Sequence, residues 1–396
     1  MEYIRDNVHG DIKIKDEVIK ELINTKEFQR LRRIIQLGGG QFVFPGANHT
    51  RFSHSIGVYH VIGKFLNNVH IGKQITNNDK LLVQIAGLLH DLGHGPFSHT
   101  FEKISTVQPH EKYTADIILG KTEVNAVLKK HGLNPENVVA IIEGTYKNSL
   151  LNSFVSSQLD ADRLDYLLRD SINTGVSYSK LDLDWIIRNA RIINNKLVFR
   201  LKALYAVENY LLGRFYMFKQ IYHHNVSFRF DYTLKSWFMR LTDLYNNNYE
   251  FKNKDVINSL KDLLEGKKCN LEDYLRLDDY TMIEWIKKTQ FEEDEILRDF
   301  ANRIINRKFL KVANSIESKQ LNLYKDLVDK INQKYYFTTI ENIDLIIYDC
   351  DKNNKILFCR DEDKNIFELS ELSEILKSVP RNIEKILYVF IKDNVK

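Results

Sequence analysis

From residue 16 to about residue 330, apolar side chains recur three and four positions apart. That spacing puts them on one face of an α-helix and is incompatible with the strict alternation of a half-buried strand. In DEVIKELINTKEFQRLRRI, for example, Val18, Ile19, Leu22, Ile23, Phe28, Leu31 and Ile34 form one stripe. Only 5 prolines and 17 glycines occur in 396 residues, and neither an internal repeat nor a Pro/Gly/Ser-rich linker divides the chain. The length suits roughly two or three domain-sized units. A mainly α fold is expected, with strands confined to a few places. NNKLVFRL (194–201) reads as one arm of a hairpin. NIDLIIYDC and NKILFCRDE flank Asp351, Lys352 and Asn353, and EKILYVFIK follows, so the C-terminal end reads as a small α+β appendage.

Composition excludes several functions. With 43% hydrophobic residues the chain can bury a core, which rules out a disordered class. A net charge of +4 on 57 basic and 53 acidic residues is too balanced for a general nucleic-acid or membrane-surface binder. Small anionic ligands need only a local basic cluster, and a nucleic-acid contact added to another activity stays open. Cys269, Cys350 and Cys359 show no metal-ligand spacing, which favours a reducing interior over a disulfide scaffold. The start MEYIRDNVHG lacks a signal-peptide pattern, and no apolar run approaches the roughly 20 residues needed to span a bilayer. A soluble, cytoplasmic protein without a membrane partner is expected.

The chemistry concentrates in four segments: TRFSHS (50–55), HDLGHGPFSHTFE (90–102), PHEKY (109–113) and DADRLDYLLRD (160–170). The helix KLLVQIAGLL runs into His90 and Asp91, then into Gly93, Gly95 and Pro96, which end regular helix. Polar groups at the end of a buried helix are costly without partners. His90, His94, His99 and His110 crowd this short stretch, although the chain has only 12 histidines. A lone histidine such as His60 is ordinarily structural; this cluster is not. His54, His90, Asp91 and Asp162 would offer two imidazoles and two carboxylates, a donor set for Zn, Fe, Mn or similar ions.

Spacing adds roles. His99 and Glu102 share a face if the turn is helical, and a carboxylate on one ring nitrogen fixes the tautomer of a proton donor. Asp162, Arg163, Tyr166 and Asp170 can project from one helix as metal ligand, phosphate clamp, ring and hydroxyl acceptor. The same pattern also suits a surface helix laced with ion pairs. Arg51 precedes His54 by three residues, and its guanidinium matches phosphate oxygens. Arg214, Phe218 and Tyr222 step along a helix by four, as a pocket wall or as ordinary packing.

QLGGGQFVFPGANHTRFSHSIGV and QIAGLLHDLGHGPFSHTFE resemble the HD-domain deoxynucleoside triphosphate (dNTP) triphosphohydrolases, nearest the SAM/HD-domain branch. The likeness covers roughly residues 4–312 and implies a chain that starts at the catalytic core, without a SAM domain. It implies an HD core over 1–250 with 251–396 packed on it, and metal ligation by His54, His90, Asp91 and Asp162. Phosphate and catalytic roles fall on Arg51, His94, His99, Glu102, His110, Arg163 and Arg214, and sugar contacts on Gln36, Leu37, Tyr166, Asp170 and Tyr222. Leu37 and Tyr222 would crowd a ribose 2′-hydroxyl. Phe218 stands where the family usually has His, which bears on base preference.

The family is activated by nucleotide-driven assembly, so GTP or dNTP activators and a homodimer or homotetramer are implied. Gln29 and Arg32 match the first regulatory site, where Asn24 replaces an aspartate and Glu2 a basic residue. Val43, Phe44, Arg200, Lys202, Arg307 and Lys311 match the second, where Trp185 and Ala206 replace an arginine and an asparagine. The expected reaction releases triphosphate from a dNTP, with Zn, Fe, Mn or Ni at the HD site and Mg as second ion. His99–Glu102 is the first choice of acid, and His110 with His94 the rival pair. The other readings are an HD hydrolase acting on monophosphates, cyclic nucleotides or alarmones, and a non-catalytic dNTP- or nucleic-acid-binding regulator.

Overall fold

The computed structural model describes residues 2–102, 104, 108–314, 334–336, 338–340, 348–349, 354–360, 365–378 and 388–391. The periodic segments fold as helices whose ends are set by local chemistry. Val18, Ile19, Leu22 and Ile23 form the buried face of the helix Glu17–Asn24. Thr25, Thr76, Thr122, Asn134 and Asp160 each accept a hydrogen bond from a backbone N–H in the first turn that follows, satisfying donors the helix itself leaves unpaired.

Two hydrophobic cores result. In the first, the helix Arg51–Asn67 packs against both Asn77–Leu89 and Ala161–Thr174. Leu88 and Leu89 are fully buried there, each worth about 1.5–3 kcal/mol relative to exposure. That burial anchors the helix end from which His90 and Asp91 emerge. The second core is built on Asn225–Asn246 with Lys254–Leu264, Asp279–Thr289 and Glu295–Ile305. It takes in Phe97, Phe101 and Tyr113, whereas Leu92 belongs to the first core. The histidine-rich turn therefore lies at the seam between the cores.

Strands are few. Glu2–Asp6 and Gly10–Ile14 form an antiparallel hairpin, with Ile4 opposite Ile12. Ala190–Ile193 and Lys196–Arg200 form the expected second hairpin. The C-terminal segment is less separate than the sequence suggests: Leu357–Cys359 pairs in parallel with Lys196–Arg200, and Ile366–Glu368 completes a four-stranded sheet. A parallel ladder between distant segments leaves no turn signature in the sequence. Lys311–Asn314, Tyr388–Ile391 and Thr338–Ile340 form a third, antiparallel sheet in that order. Most of NIDLIIYDC lies outside the described residues. Among the described residues no helix is long and apolar enough to cross a membrane.

Candidate active site

Three helix ends converge at the seam. His54 comes from the first turns of Arg51–Asn67, His90 caps Asn77–Leu89, and Asp162 sits in the first turn of Ala161–Thr174. One donor atom from each of these three residues lies within 4.8 Å of the others. His54 Nε2 is 3.0 Å from Asp162 Oδ1, and His90 Nε2 is 3.5 Å from the same oxygen. Asp91 contributes its carboxylate 3.6 Å from His54 Nε2 and 3.3 Å from His90 Nε2. Both Nε2 atoms are buried, and among the described residues neither has a hydrogen-bond partner of good geometry.

The opposite ring nitrogens are occupied. His54 Nδ1 lies 2.8 Å from Asp165 Oδ2, and His90 Nδ1 donates to the Gly87 carbonyl at 2.8 Å. Protonation at Nδ1 leaves each Nε2 lone pair facing the cluster, the arrangement of metal-ligating histidines with an outer carboxylate or carbonyl. Burial opposes charge on His54, but Asp162, Asp165 and Asp91 together raise its pKa to about 10. A divalent cation would answer that surplus of negative charge, and imidazole plus carboxylate suits a transition ion. The residues fit the metal that the family likeness implies.

Beneath the cluster lies a buried ion network that the sequence did not reveal. Asp165 Oδ1 is 2.6 Å from His9 Nε2, and the carboxylate also takes Arg169 at 2.9 and 3.0 Å. Arg169 in turn reaches Asp6 at 2.7 and 3.2 Å. Desolvation works against a charged Asp165, yet Arg169, His54 and His9 hold it well below the usual carboxylate range. Helix Arg51–Asn67 approaches this network so closely that a Cβ on Gly57 would sit 1.9 Å from Asp165 Oδ1.

His94, His99, Glu102 and His110 form a second group. As the spacing predicts, His99–Glu102 is a single helical turn, and His99 Nδ1 is 3.0 Å from Glu102 Oε2. Glu102 Oε1 also makes a short bond to His110 Nδ1. The two rival acid/base pairs are thus one unit, because His110 also stacks on His94 with ring centroids 3.7 Å apart and planes 18° from parallel. No single ion can lie in the planes of two stacked rings, so this group suits proton transfer better than metal binding. Burial, Arg51 and His110 push the His94 imidazolium well below its ordinary range, keeping that ring neutral. Burial raises Glu102, but its bonds to His110 and His99 prevail and keep it ionised.

The remaining predicted residues line this region or sit near it. Arg51 bonds Asp91 at 2.6 Å and Ser98 Oγ at 2.9 Å. Arg163 is tied to Asp160, and Arg214 lies over the Phe218 ring at 5.4 Å. Leu204–Met217 does not continue as α-helix to Tyr222, as steps of four would require. It passes into a π turn over Phe218–Tyr222, an insertion frequent at functional sites. Tyr222 still donates to Asp170 Oδ2 at 2.8 Å, with its ring 6.1 Å from that of Tyr166. The other Asp170 oxygen takes His49 Nε2 at 2.7 Å, a partner the sequence reading missed. Gln36 is buried one residue before Leu37, and its backbone N–H donates to the His49 carbonyl at 3.0 Å.

The regulatory candidates are each tied into the fold locally. Arg32 donates to Gln29 at 2.9 Å and lies over the Phe52 ring at 3.5 Å. Arg307 donates to the Phe42 carbonyl at 2.8 Å, beside Val43 and Phe44. Arg200 ends the strand Lys196–Arg200, the Lys202 carbonyl accepts from Trp185 at 3.1 Å, and Lys311 opens Lys311–Asn314.

The HD domain family matches residues 51–170, which hold all four candidate metal ligands. YwfO of Bacillus subtilis is 37% identical over 387 residues, covering 95% of this chain and 88% of its own length. Deoxynucleoside triphosphate triphosphohydrolase SAMHD1 of Homo sapiens is 32% identical over 283 residues, covering 61% of this chain and 45% of its own. A phosphohydrolase from Bacteroides thetaiotaomicron has a solved structure that superposes with a TM-score of 0.86 at 28% identity, covering 99% of both chains. A matching domain, relatives that span the chain and an imidazole–carboxylate cluster at the motif lead to one conclusion: the chain belongs to the HD-domain phosphohydrolases.

Proposed function

We propose that this phosphohydrolase converts deoxynucleoside triphosphates into deoxynucleoside and inorganic triphosphate. The observation that carries the reading is the Tyr222–Asp170–His49 chain, whose bonds of 2.8 and 2.7 Å fix the Tyr222 ring near Tyr166 beside the His54 cluster. A phenol held in this way would, together with Leu37, crowd a ribose 2′-hydroxyl. The likeness to SAMHD1 supports the same substrate class.

A divalent ion held by His54, His90, Asp91 and Asp162 would neutralise phosphate charge and acidify bound water, with Mg as a second ion on the phosphates. Zn, Fe, Mn and Ni all suit the donor set. Arg51, Arg163 and Arg214 bind and align the triphosphate. Water attacks the α-phosphorus, the bond to the 5′-oxygen breaks, and that oxygen takes a proton. Glu102, ionised, is shared by His99 and His110 and fixes the orientation of both rings. His99, whose side chain is 65% exposed, is the donor. In this reading the unprotonated His94 ring takes up the proton of the attacking water.

In this reading GTP or dNTP binding at Gln29 and Arg32, and at Val43, Phe44, Arg200, Lys202, Arg307 and Lys311, drives assembly to a dimer or tetramer. Residues 1–250 carry the chemistry, and the described part of residues 251–396 packs on them. The test is chromatographic product analysis of dNTP, NTP and dNMP panels with Mn²⁺ or Mg²⁺, with and without GTP. Triphosphate release from dNTPs is expected. Turnover of monophosphates alone, or none with any metal, would overturn the assignment.

A further inference from the structure

The turn between Asp91 and His99 is held in an unfavourable shape. Phe97 and Ser98 have φ of 57° and 54°, a left-handed conformation that side chains other than glycine rarely adopt. Such strain persists only where the surroundings over-determine it. Here the surroundings come from both sides of the seam. Tyr274 donates to the Gly93 carbonyl at 2.6 Å, and Arg30 bridges the carbonyls of His94 at 2.8 Å and Leu277 at 3.0 Å. Asp279 Oδ1 accepts from the Phe97 N–H at 2.7 Å, and Asp279 Oδ2 accepts from the Ile35 N–H at 2.9 Å.

We propose that Asp279 is a positioning residue, whose two oxygens lock the strained turn and the Gln36–Leu37 segment together around the substrate pocket. Ile35 directly precedes Gln36, so one carboxylate sets both walls. Ser98 closes the link: its Oγ donates to the Ile35 carbonyl at 2.7 Å and accepts from Arg51 Nε at 2.9 Å. Arg51 then holds Asp91. The path runs from Asp279 through Phe97 and Ser98 to the guanidinium proposed to bind phosphate.

The charge environment supports a working role. Asp279 is 4% exposed. Its neighbour Asp278 is engaged with Arg33 at 2.5 Å and Thr281 at 2.9 Å, and Arg30 acts on Asp279 only at longer range. Burial raises Asp279 most, the Phe97 and Ile35 N–H groups lower it, and Asp278 raises it again, to about 7. An acid whose folded pKa lies above its unfolded value destabilises the fold as pH rises toward the folded pKa. An ionised carboxylate here therefore costs stability, and what it supplies in return is a pair of acceptors. Protonation turns one acceptor into an O–H facing an N–H.

The catalytic meaning rests on the proposed reaction, but the lock can be tested without it. Amide hydrogen exchange, corrected for intrinsic rates, is followed from pH 5.5 to 8.5 in the metal-loaded full chain and in Asp279→Asn. Wild-type protection at Phe97 and Ile35 should fall about tenfold as pH drops through about 7, the effect of one lost hydrogen bond, while the helix Arg51–Asn67 stays unchanged. Asp279→Asn should lose protection at both amides at every pH, with no pH step. If dNTPs are turned over, its kcat should fall about tenfold with KM much less affected. A step that persists in Asp279→Asn, or protection lost throughout the molecule, overturns the proposal. If the variant does not fold, the wild-type series decides alone, because a step shared by all amides would refute a local lock.

Discussion

Replacing Asp165 by Asn separates ligand positioning from the metal ligands themselves, since Asp165 does not face the cluster. It holds His54 Nδ1 at 2.8 Å, His9 at 2.6 Å and Arg169 at 2.9 and 3.0 Å. Asparagine offers one acceptor oxygen and turns an amide donor toward groups that are already donors. Breaking a buried pair typically costs about 3–5 kcal/mol. Arg169 keeps Asp6 at 2.7 Å, so the lower end, about 3 kcal/mol, is expected for the metal-free protein. Losing the partner that orients a ligating histidine costs about 10- to 100-fold in metal affinity, or about 1.4–2.8 kcal/mol. Gly57→Ala is the uncharged companion, because its methyl would push on Asp165 at 1.9 Å and on Arg169 Nη2 at 2.4 Å. Chelator competition with Zn²⁺ or Mn²⁺ gives the affinity, and denaturant unfolding of metal-free protein gives the stability. Wild-type metal affinity in Asp165→Asn, with only stability reduced, would refute the ligand-orienting role.

His90→Ala combined with Asp91→Ala should abolish stoichiometric metal binding and turnover. It also leaves Arg51 without its 2.6 Å partner, so unfolding measurements should show lower stability as well. Glu102→Gln should lower kcat by about 10²- to 10⁴-fold with metal content unchanged, read by steady-state kinetics and elemental analysis. Because the folded Glu102 pKa is depressed below 4.5, its stabilisation is complete above that pH and is lost as pH falls below it. Unfolding free energies measured between pH 3 and 7 should therefore fall less steeply in Glu102→Gln. Tyr222→Ala should raise NTP relative to dNTP turnover at least about tenfold, since steric selection of this kind is worth about 1–3 kcal/mol. An unchanged ratio in competition assays would remove Tyr222 from sugar selection.

Where side chains are spaced along one regular helix, the sequence by itself determined how they relate. The apolar stripe Val18, Ile19, Leu22 and Ile23 predicts a helix because one turn of helix repeats every 3.6 residues. The same geometry puts His99 beside Glu102 and sets Asp162, Arg163, Tyr166 and Asp170 along Ala161–Thr174. His90 and Asp91 could be singled out because polar residues crowd the end of an apolar helix.

Other relationships had no local signal, and only the tertiary structure decided them. His9 meets Asp165 across 156 residues, His49 meets Asp170 across 121, and Phe97 meets Asp279 across 182. In the sequence nothing marks either member of these pairs as the other's partner. Asp165 alone gave a hint, because it shares the buried side of its helix with Ala161, Leu164 and Leu167, where an unpartnered carboxylate would be too costly to keep. The parallel pairing of Leu357–Cys359 was hidden for the same reason, whereas the π turn at Phe218–Tyr222 is local but carries no residue pattern that announces it. Local spacing can nominate the groups that do chemistry. Only burial in the assembled cores brings together the distant groups that orient them, because desolvation is what makes those partners necessary.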